Sequence, residues 1–178
     1  MQFNMSDSAC HNDKVYGCIF CTTGKEDLVA RYIETANPNI RALPVRQQKR
    51  KKVDKHTSIV EEICFPGYVF IEADVGSSIL LATNISCMIK LLSSKTKDWK
   101  LYGDDEAFAR WIFARSGIIS FSKGYKEGDR IKISSGPLKD LEGHIVRIDK
   151  RNKNGQVSLT FHDRVIKAWL GFELIDNT

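Results

Sequence analysis

KEGDRIKISSGPLKDLEGHIVRIDKRNK, residues 126–153, is the stretch from which the fold is read. Gly128-Asp129 turns the chain, and Arg130-Ile131-Lys132-Ile133 then alternates polar and apolar side chains. That is the two-residue period of a half-buried strand. Ser134-Ser135-Gly136-Pro137 stops it, because glycine permits positive φ while proline fixes φ and cannot donate to a ladder. A turn over Leu138 to Gly143 leads into a second strand, His144-Ile145-Val146-Arg147-Ile148, and a further turn carries Lys150, Arg151 and Lys153 around Asn154-Gly155. Two strands alone are not stable in water. Gln156 to Phe161 and Val165 to Leu170 read as the next two, and Glu173-Leu174-Ile175 closes the set. Short strands joined by glycine turns over about 50–60 residues predict a small five-stranded β-barrel, a size that folds alone only marginally.

Working outward, the 178-residue chain suits one domain or two small ones, and its 42% hydrophobic share is ordinary for a globular protein. No apolar run approaches the length that crosses a bilayer. Met1 to Asp13 is polar and lacks a secretory hydrophobic stretch, so it reads as a disordered tail, and the chain as cytoplasmic. Net charge is +5, and six basic residues (Arg46, Lys49, Arg50, Lys51, Lys52, Lys55) face a single acid, Asp54, in residues 46–55. That run reads as a basic loop: a solvated connection in the plain reading, a contact for nucleic-acid phosphates in the functional one. The five cysteines are scattered and odd in number, which does not resemble a disulfide framework. Cys18 and Cys21 have CxxC spacing but no second pair at finger-like distance, and on a strand residues three apart face opposite sides. Structural thiols are expected, with no metal and no cofactor.

Upstream, Val15 to Cys21 is a continuous apolar run, fit for a central strand covered on both faces. Thr23, with Glu26 three residues on, predicts a capping box for a helix whose apolar stripe is Leu28, Val29, Tyr32 and Ile33. Asn37-Pro38-Asn39 ends that helix; Ile40 to Val45 is a second strand and Ile59 to Ile63 a short return strand. Gly24-Lys25 is no phosphate-binding loop, since Ile19 stands where another glycine is needed. Pro66-Gly67 bends the chain into a strand on which Tyr68, Phe70 and Glu72 share one face and Val69 and Ile71 the other. Residues 76–83 suggest a short helix and 85–92 another strand. Asp104-Asp105-Glu106 opens a helix continued by Phe108, Trp111, Ile112 and Arg115, with its carboxylates placed favourably for the dipole. The expected fold class is α+β: an α/β sandwich with an antiparallel sheet over 14–115, a linker at 116–125, and the small barrel over 126–178.

Two groups of residues carry a resemblance. Gly128-Asp129, Gly136-Pro137-Leu138 and Glu142-Gly143-His144-Ile145-Val146 look like a KOW motif, which in its family builds an SH3-like barrel. Val15-Tyr16, Thr23-Gly24-Lys25-Glu26, the strand ending in Pro44, the basic segment and Phe65-Pro66-Gly67-Tyr68-Val69-Phe70 resemble the N-terminal domain (NGN) of the NusG family. Tyr16 stands where that family often has tryptophan. Phe121 to Asp129, Gly136-Pro137-Leu138 and Trp169 to Leu174 look most like its specialised antiterminator branch, LoaP.

The resemblance implies a transcription elongation and antitermination factor, not an enzyme. Its N-terminal domain would dock on the clamp of the largest RNA polymerase subunit through Phe65, Tyr68 and Phe70, with Phe108 and Ile112 nearby. Aromatics after a rigid bend would be preorganised anchors, each contributing ~1.5–3 kcal/mol when buried by a partner; filling the core is the competing use of the same side chains. The KOW domain would bind nascent RNA through Lys126, Lys132, Lys139, Arg147, Lys150, Arg151, Lys153 and Arg164. Residues 126–153 hold eight basic against five acidic side chains, a modest excess. Arg147 and Arg151 rank first, because arginine grips phosphate or guanine with a fixed fork. The alternatives are a housekeeping NusG-type factor linking polymerase to Rho or the ribosome, a ribosome-associated KOW module, and a metal or redox protein using Cys18 and Cys21. The chain is expected to be a monomer without a membrane partner. His56, His144 and His162 have no carboxylate or serine at catalytic spacing, and no catalytic constellation is evident.

Overall fold

The structure, a computed structural model, describes residues 14–53, 56–78, 86–92 and 98–175. The predicted tail, residues 79–83 of the expected 76–83 helix, and Asp54 and Lys55 of the basic segment lie outside these. Among the described residues the chain is mixed α+β and mostly strand, with three α-helices. The described residues divide into two compact units, one within 14–45 and 65–117, the other within 46–64 and 118–175.

In the first unit the strands are β1 (Lys14–Cys21), β2 (Arg41–Pro44), β5 (Tyr68–Asp74) and β6 (Met88–Leu92), and the helices α1 (Glu26–Ala36) and α2 (Gly103–Phe113). The sheet is antiparallel in the order β2-β5-β1-β6. Alternation along β1 and β5 sends Ile19, Cys21, Val69 and Ile71 to one side, where Val29, Ala30 and Ile33 of α1 cover them. Phe70 goes to the other side, where its ring meets Phe108 of α2 edge-on at 5.9 Å. Both faces of the central strands are thus sealed, as the apolar runs require. Leu28, placed by periodicity on the buried stripe of α1, is 48% exposed instead. The helix stops where Asn37 donates from both its backbone N–H and Nδ2 to the carbonyl of Ile33, each at 2.9 Å.

The expected capping box does not form. Lys25 is the N-cap residue and no side chain caps the helix. Glu26 serves the bend instead: Gly67 N–H donates to its Oε1 at 2.7 Å and Gly24 N–H to its Oε2 at 2.8 Å. The carboxylate is 2% exposed, so the first turn of α1 and the Pro66-Gly67 bend are fixed by one side chain. Gly67 itself sits at φ +85°, and an added Cβ would lie 3.0 Å from the carbonyl oxygen of Cys21. The bend therefore needs glycine on both counts.

The second unit overturns one expectation outright. The basic segment is not a loop: β3 (Arg46–Val53) pairs antiparallel along its full length with β4 (His56–Ile63). Lys49 is ion-paired to Glu62 across the ladder at 3.1 Å. A residue-by-residue backbone ladder makes this strand, and no apolar alternation announces it. β3 also runs parallel to β7 (Ile118–Ile119), through Arg46 and Gln47.

The remaining strands are β8 (Ser122–Glu127), β9 (Arg130–Ser135), β10 (Ile145–Asp149), β11 (Asn154–Phe161) and β12 (Arg164–Leu174), in the order β10-β11-β12-β8-β9. Five strands are present, but not the expected five. Glu173-Leu174 is the end of β12, which pairs with β11 as far as Gly171 and then runs parallel to β8 from Phe172 to Leu174. The missing strand is β8, which begins in the segment read as a linker (116–125) and runs two residues past it; buried Ser122 anchors it by accepting the Leu138 N–H at 2.8 Å. The stop at Gly136-Pro137 holds, although Pro137–Asp140 forms a short helix, α3, rather than a plain turn. Gly136 has φ +90° there.

Candidate nucleic-acid interface

The side chains expected to form an exposed aromatic ledge are mostly interior. Phe65 is 2% exposed, Phe70 1%, Phe108 4% and Ile112 1%. Phe65 and Phe108 meet edge-on at 5.7 Å, and Phe108 stacks on Trp111 at 5.9 Å. The physical reason is the alternation already described: the face of β5 that carries Phe70 is the face α2 must cover. Of the five, only Tyr68 is half-buried, tilted against the half-buried ring of Phe20 at 5.3 Å.

Three of the thiols, Cys18, Cys21 and Cys64, are interior as well. Burial pushes Cys21 up to about 11 and Cys64 up to about 12, and Cys18, fully buried, is also raised well above an ordinary thiol. Thiolate is the form that electrophiles take, so burial sets these three positions against nucleophilic use. His56, His144 and His162 lie apart in sequence, on β4, on the 3-10 turn Glu142–His144, and in the β11–β12 turn.

All eight residues expected to touch RNA are exposed, but they do not form one patch. Four gather at one end of the second unit's sheet: Arg147 on β10, and Lys150, Arg151 and Lys153 in the β10–β11 turn. The Lys150 ammonium donates to the Asp129 carbonyl, which ties this turn to the β8–β9 turn. Asp149 organises it, accepting the Asn152 N–H at 2.9 Å and Asn152 Nδ2 at 2.8 Å; these bonds hold its carboxyl below the usual range. The other four stand elsewhere. Lys126 lies on β8; Lys132 on β9 is bound to Glu127 at 2.6 Å, which raises its pKa, and Lys139 on α3 to Glu142 at 2.5 Å. Arg164 pairs with Phe161 at the far end of β11, about 23 Å from Asn154 at the rise of a strand.

Strand register shows what composition concealed. Arg147 pairs with Gln156 and Gln156 with Trp169, while Asp149 pairs with Asn154 and Asn154 with Gly171. Residues paired in register share a face, as do residues two apart. Trp169 therefore lies on the outward face, half-buried, with Lys167 exposed two residues before it; Ala168 and Leu170 fill the core. Where Gly171 leaves room, Phe121 lies down: a Cβ on Gly171 would be 2.4 Å from that ring. Over Phe121 sits the Arg50 guanidinium, 4.2 Å from the ring centroid and ion-paired to Glu173. Lys49, Arg50, Phe121, Asp149, Asn152, Asn154 and Trp169 together line a hollow of about 430 Å³.

Two cations, two aromatic rings, two amides and one hydrogen-bonded carboxylate form a chemically mixed cavity beside a basic turn. Cations alone would serve phosphate. Rings and a guanidinium plane add stacking surfaces, and amides add hydrogen bonding at base edges. Sequence reading missed Phe121, Trp169, Lys167, Asn152 and Asn154. One signal was available: in Val165 to Leu170 the tryptophan shares its phase with Lys167, two residues before it, and not with Ala168 and Leu170.

No protein-family description matches the chain, and no curated protein matches it either. One solved structure, described as domain interaction in Thermotoga maritima NusG, is similar at 20% identity and a TM-score of 0.46, covering 89% of this chain and 93% of that one. At that identity and score the likeness bears on neither partner nor activity.

Proposed function

We propose that this chain is a transcription elongation factor of the NusG type that works by tethering: its first unit engages RNA polymerase and its second holds RNA. The observation that supports the RNA half is the join between the Arg147–Lys153 turn and a hollow walled by Phe121, Trp169 and Arg50. Cations steer and hold the phosphates; rings hold bases. The polymerase half rests on the sequence resemblance at Phe65 to Phe70, followed in the same chain by the KOW-like motif that implies an SH3-like barrel. Because four of the five expected anchors are interior, docking falls to Tyr68 with Phe20, and the buried rings hold the bend that presents them. Linking the clamp to emerging RNA would favour the elongating enzyme over paused states, by differential binding and without making or breaking a bond. Antitermination on particular operons, as in the LoaP branch, is the form of this activity the second unit's basic turn favours over a protein partner such as Rho.

RNA binding tests the proposal. At about 0.1 M salt the double variant R147E/R151E should bind a structured RNA at least tenfold more weakly than the unaltered chain. Its log–log salt slope should fall by about 2, because each of the two arginines neutralises one phosphate. Binding that is indifferent to salt, or that survives both charge reversals, would refute phosphate contact at this turn.

A further inference from the structure

The hollow has a property that phosphate contact does not use: part of its wall accepts hydrogen bonds. Asp149 lines it beside Asn152 and Asn154, and a carboxylate can only accept. Both Asp149 oxygens take bonds from Asn152 and the Arg151 backbone also donates to the carboxylate, which fixes the group in place while acceptor capacity remains from its about four lone pairs. Trp169 supplies a ring on the same outward face, and Arg50, held between Phe121 and Glu173, supplies a guanidinium plane. A phosphate would be repelled by Asp149 and has no use for a ring. A nucleobase uses all of these.

Resting on the RNA reading above, we infer that this hollow takes one unpaired nucleobase of the bound RNA, guanine by preference, with Trp169 and Arg50 as its stacking walls and Asp149 as the acceptor that selects it. Guanine is the base whose pairing edge carries two adjacent N–H donors, the complement of a carboxylate. Uracil offers one donor between two carbonyls, and those carbonyls would face the Asp149 charge. The base must be unpaired, because in an A-form helix its edge is occupied and its face covered. Fixing Asp149 and Arg50 before the ligand arrives lowers the ordering cost of binding. The β3–β4 hairpin thereby acquires a role: it brings Lys49 and Arg50 to a sheet whose other lining residues come from positions 121–169.

The test uses the full chain and single-stranded RNA octamers of uridine carrying one central G, A, C or U, with affinity read by fluorescence anisotropy. The G octamer should bind at least tenfold more tightly than the all-U octamer. D149N, which keeps an acceptor for the Asn152 N–H, should erase that preference, bringing the G octamer to within about twofold of the all-U octamer measured on the same variant. W169A should weaken the G octamer at least tenfold, and W169F should restore most of the loss, which separates stacking from general folding. Equal affinities for all four octamers, or a D149N protein that keeps the preference, would overturn the inference even if R147E/R151E still weakens binding at least tenfold. In that case the basic turn holds RNA and the hollow does not read it. If free GMP competes mole for mole as well as the G octamer, the hollow is a mononucleotide site and the RNA assignment is wrong. If the chain binds none of the octamers and no structured RNA, the functional reading fails together with the inference.

Discussion

Phe108→Ala should cost the first unit about 3–5 kcal/mol of stability, the usual range for emptying a buried phenylalanine site. The ring is 4% exposed and touches Phe65, Phe70 and Trp111, so its removal leaves a cavity shared by three large neighbours that backbone pairing holds in place. Chemical denaturation followed by far-UV circular dichroism reads the loss. The result separates two uses of one side chain. An anchor kept for a partner would be expendable in the isolated protein, and its truncation would lower polymerase affinity at unchanged stability. A core ring does the reverse. Tyr68→Ala, at a half-buried position, should cost under about 1.5 kcal/mol, since only part of the ring leaves water on folding. Near-equal destabilisation by the two substitutions would contradict the placement of α2 over the Phe70 face.

Glu26→Ala is the second large effect, about 2–4 kcal/mol. A buried donor left without its acceptor costs about 1–3 kcal/mol, which falls on the buried Gly67 N–H, and the exposed Gly24 N–H loses a bond of net worth about 0.5–1.5 kcal/mol to the same carboxylate. Glu26→Gln should recover roughly half of the loss, because the amide offers one acceptor oxygen and turns its NH2 toward the other donor. Hydrogen exchange at the amide of Gly67 reports the local effect: protection should fall sharply in the alanine variant and only partly in the glutamine variant. A glutamate that merely decorated the first helical turn would give a few tenths of a kcal/mol and leave Gly67 protected.

These positions also show which structural signals the sequence carried and which it did not. β1, β5, α1 and α2 follow from periodicity because each hides one defined set of apolar residues. Glu26 was noticed for the wrong reason: its spacing from Thr23 suggested a local cap, while its actual partner lies 41 residues on, beyond the reach of any local rule. β3 escaped because its own side chains are polar from Arg46 to Lys52, so its pairing leaves no apolar period. Buried Gln47 on the same strand looked like surface for the same reason. β8 escaped because Ser122 and Gly124 are its interior residues, and small side chains carry little hydrophobic signal. The hollow could not be found by spacing at all. Its lining is drawn from residues 49–50, 121, 149–154 and 169, which only the ladders β10-β11-β12 and the hairpin bring together. The aromatic residues in Phe65 to Phe70 were legible as a unit, but whether a ring faces solvent or a helix depends on where α2 lies, and sequence alternation does not fix that.

The tether itself is tested most directly on RNA polymerase elongation complexes assembled with emerging RNA that is either left intact or trimmed with ribonuclease, with the affinity of the full chain measured for each. The account predicts tight binding to the intact complex, a loss of at least tenfold on trimming, and an R147E/R151E variant that binds both complexes at the trimmed level. Equal affinity of the unaltered chain for intact and trimmed complexes, or binding to free RNA with none to polymerase, would contradict it.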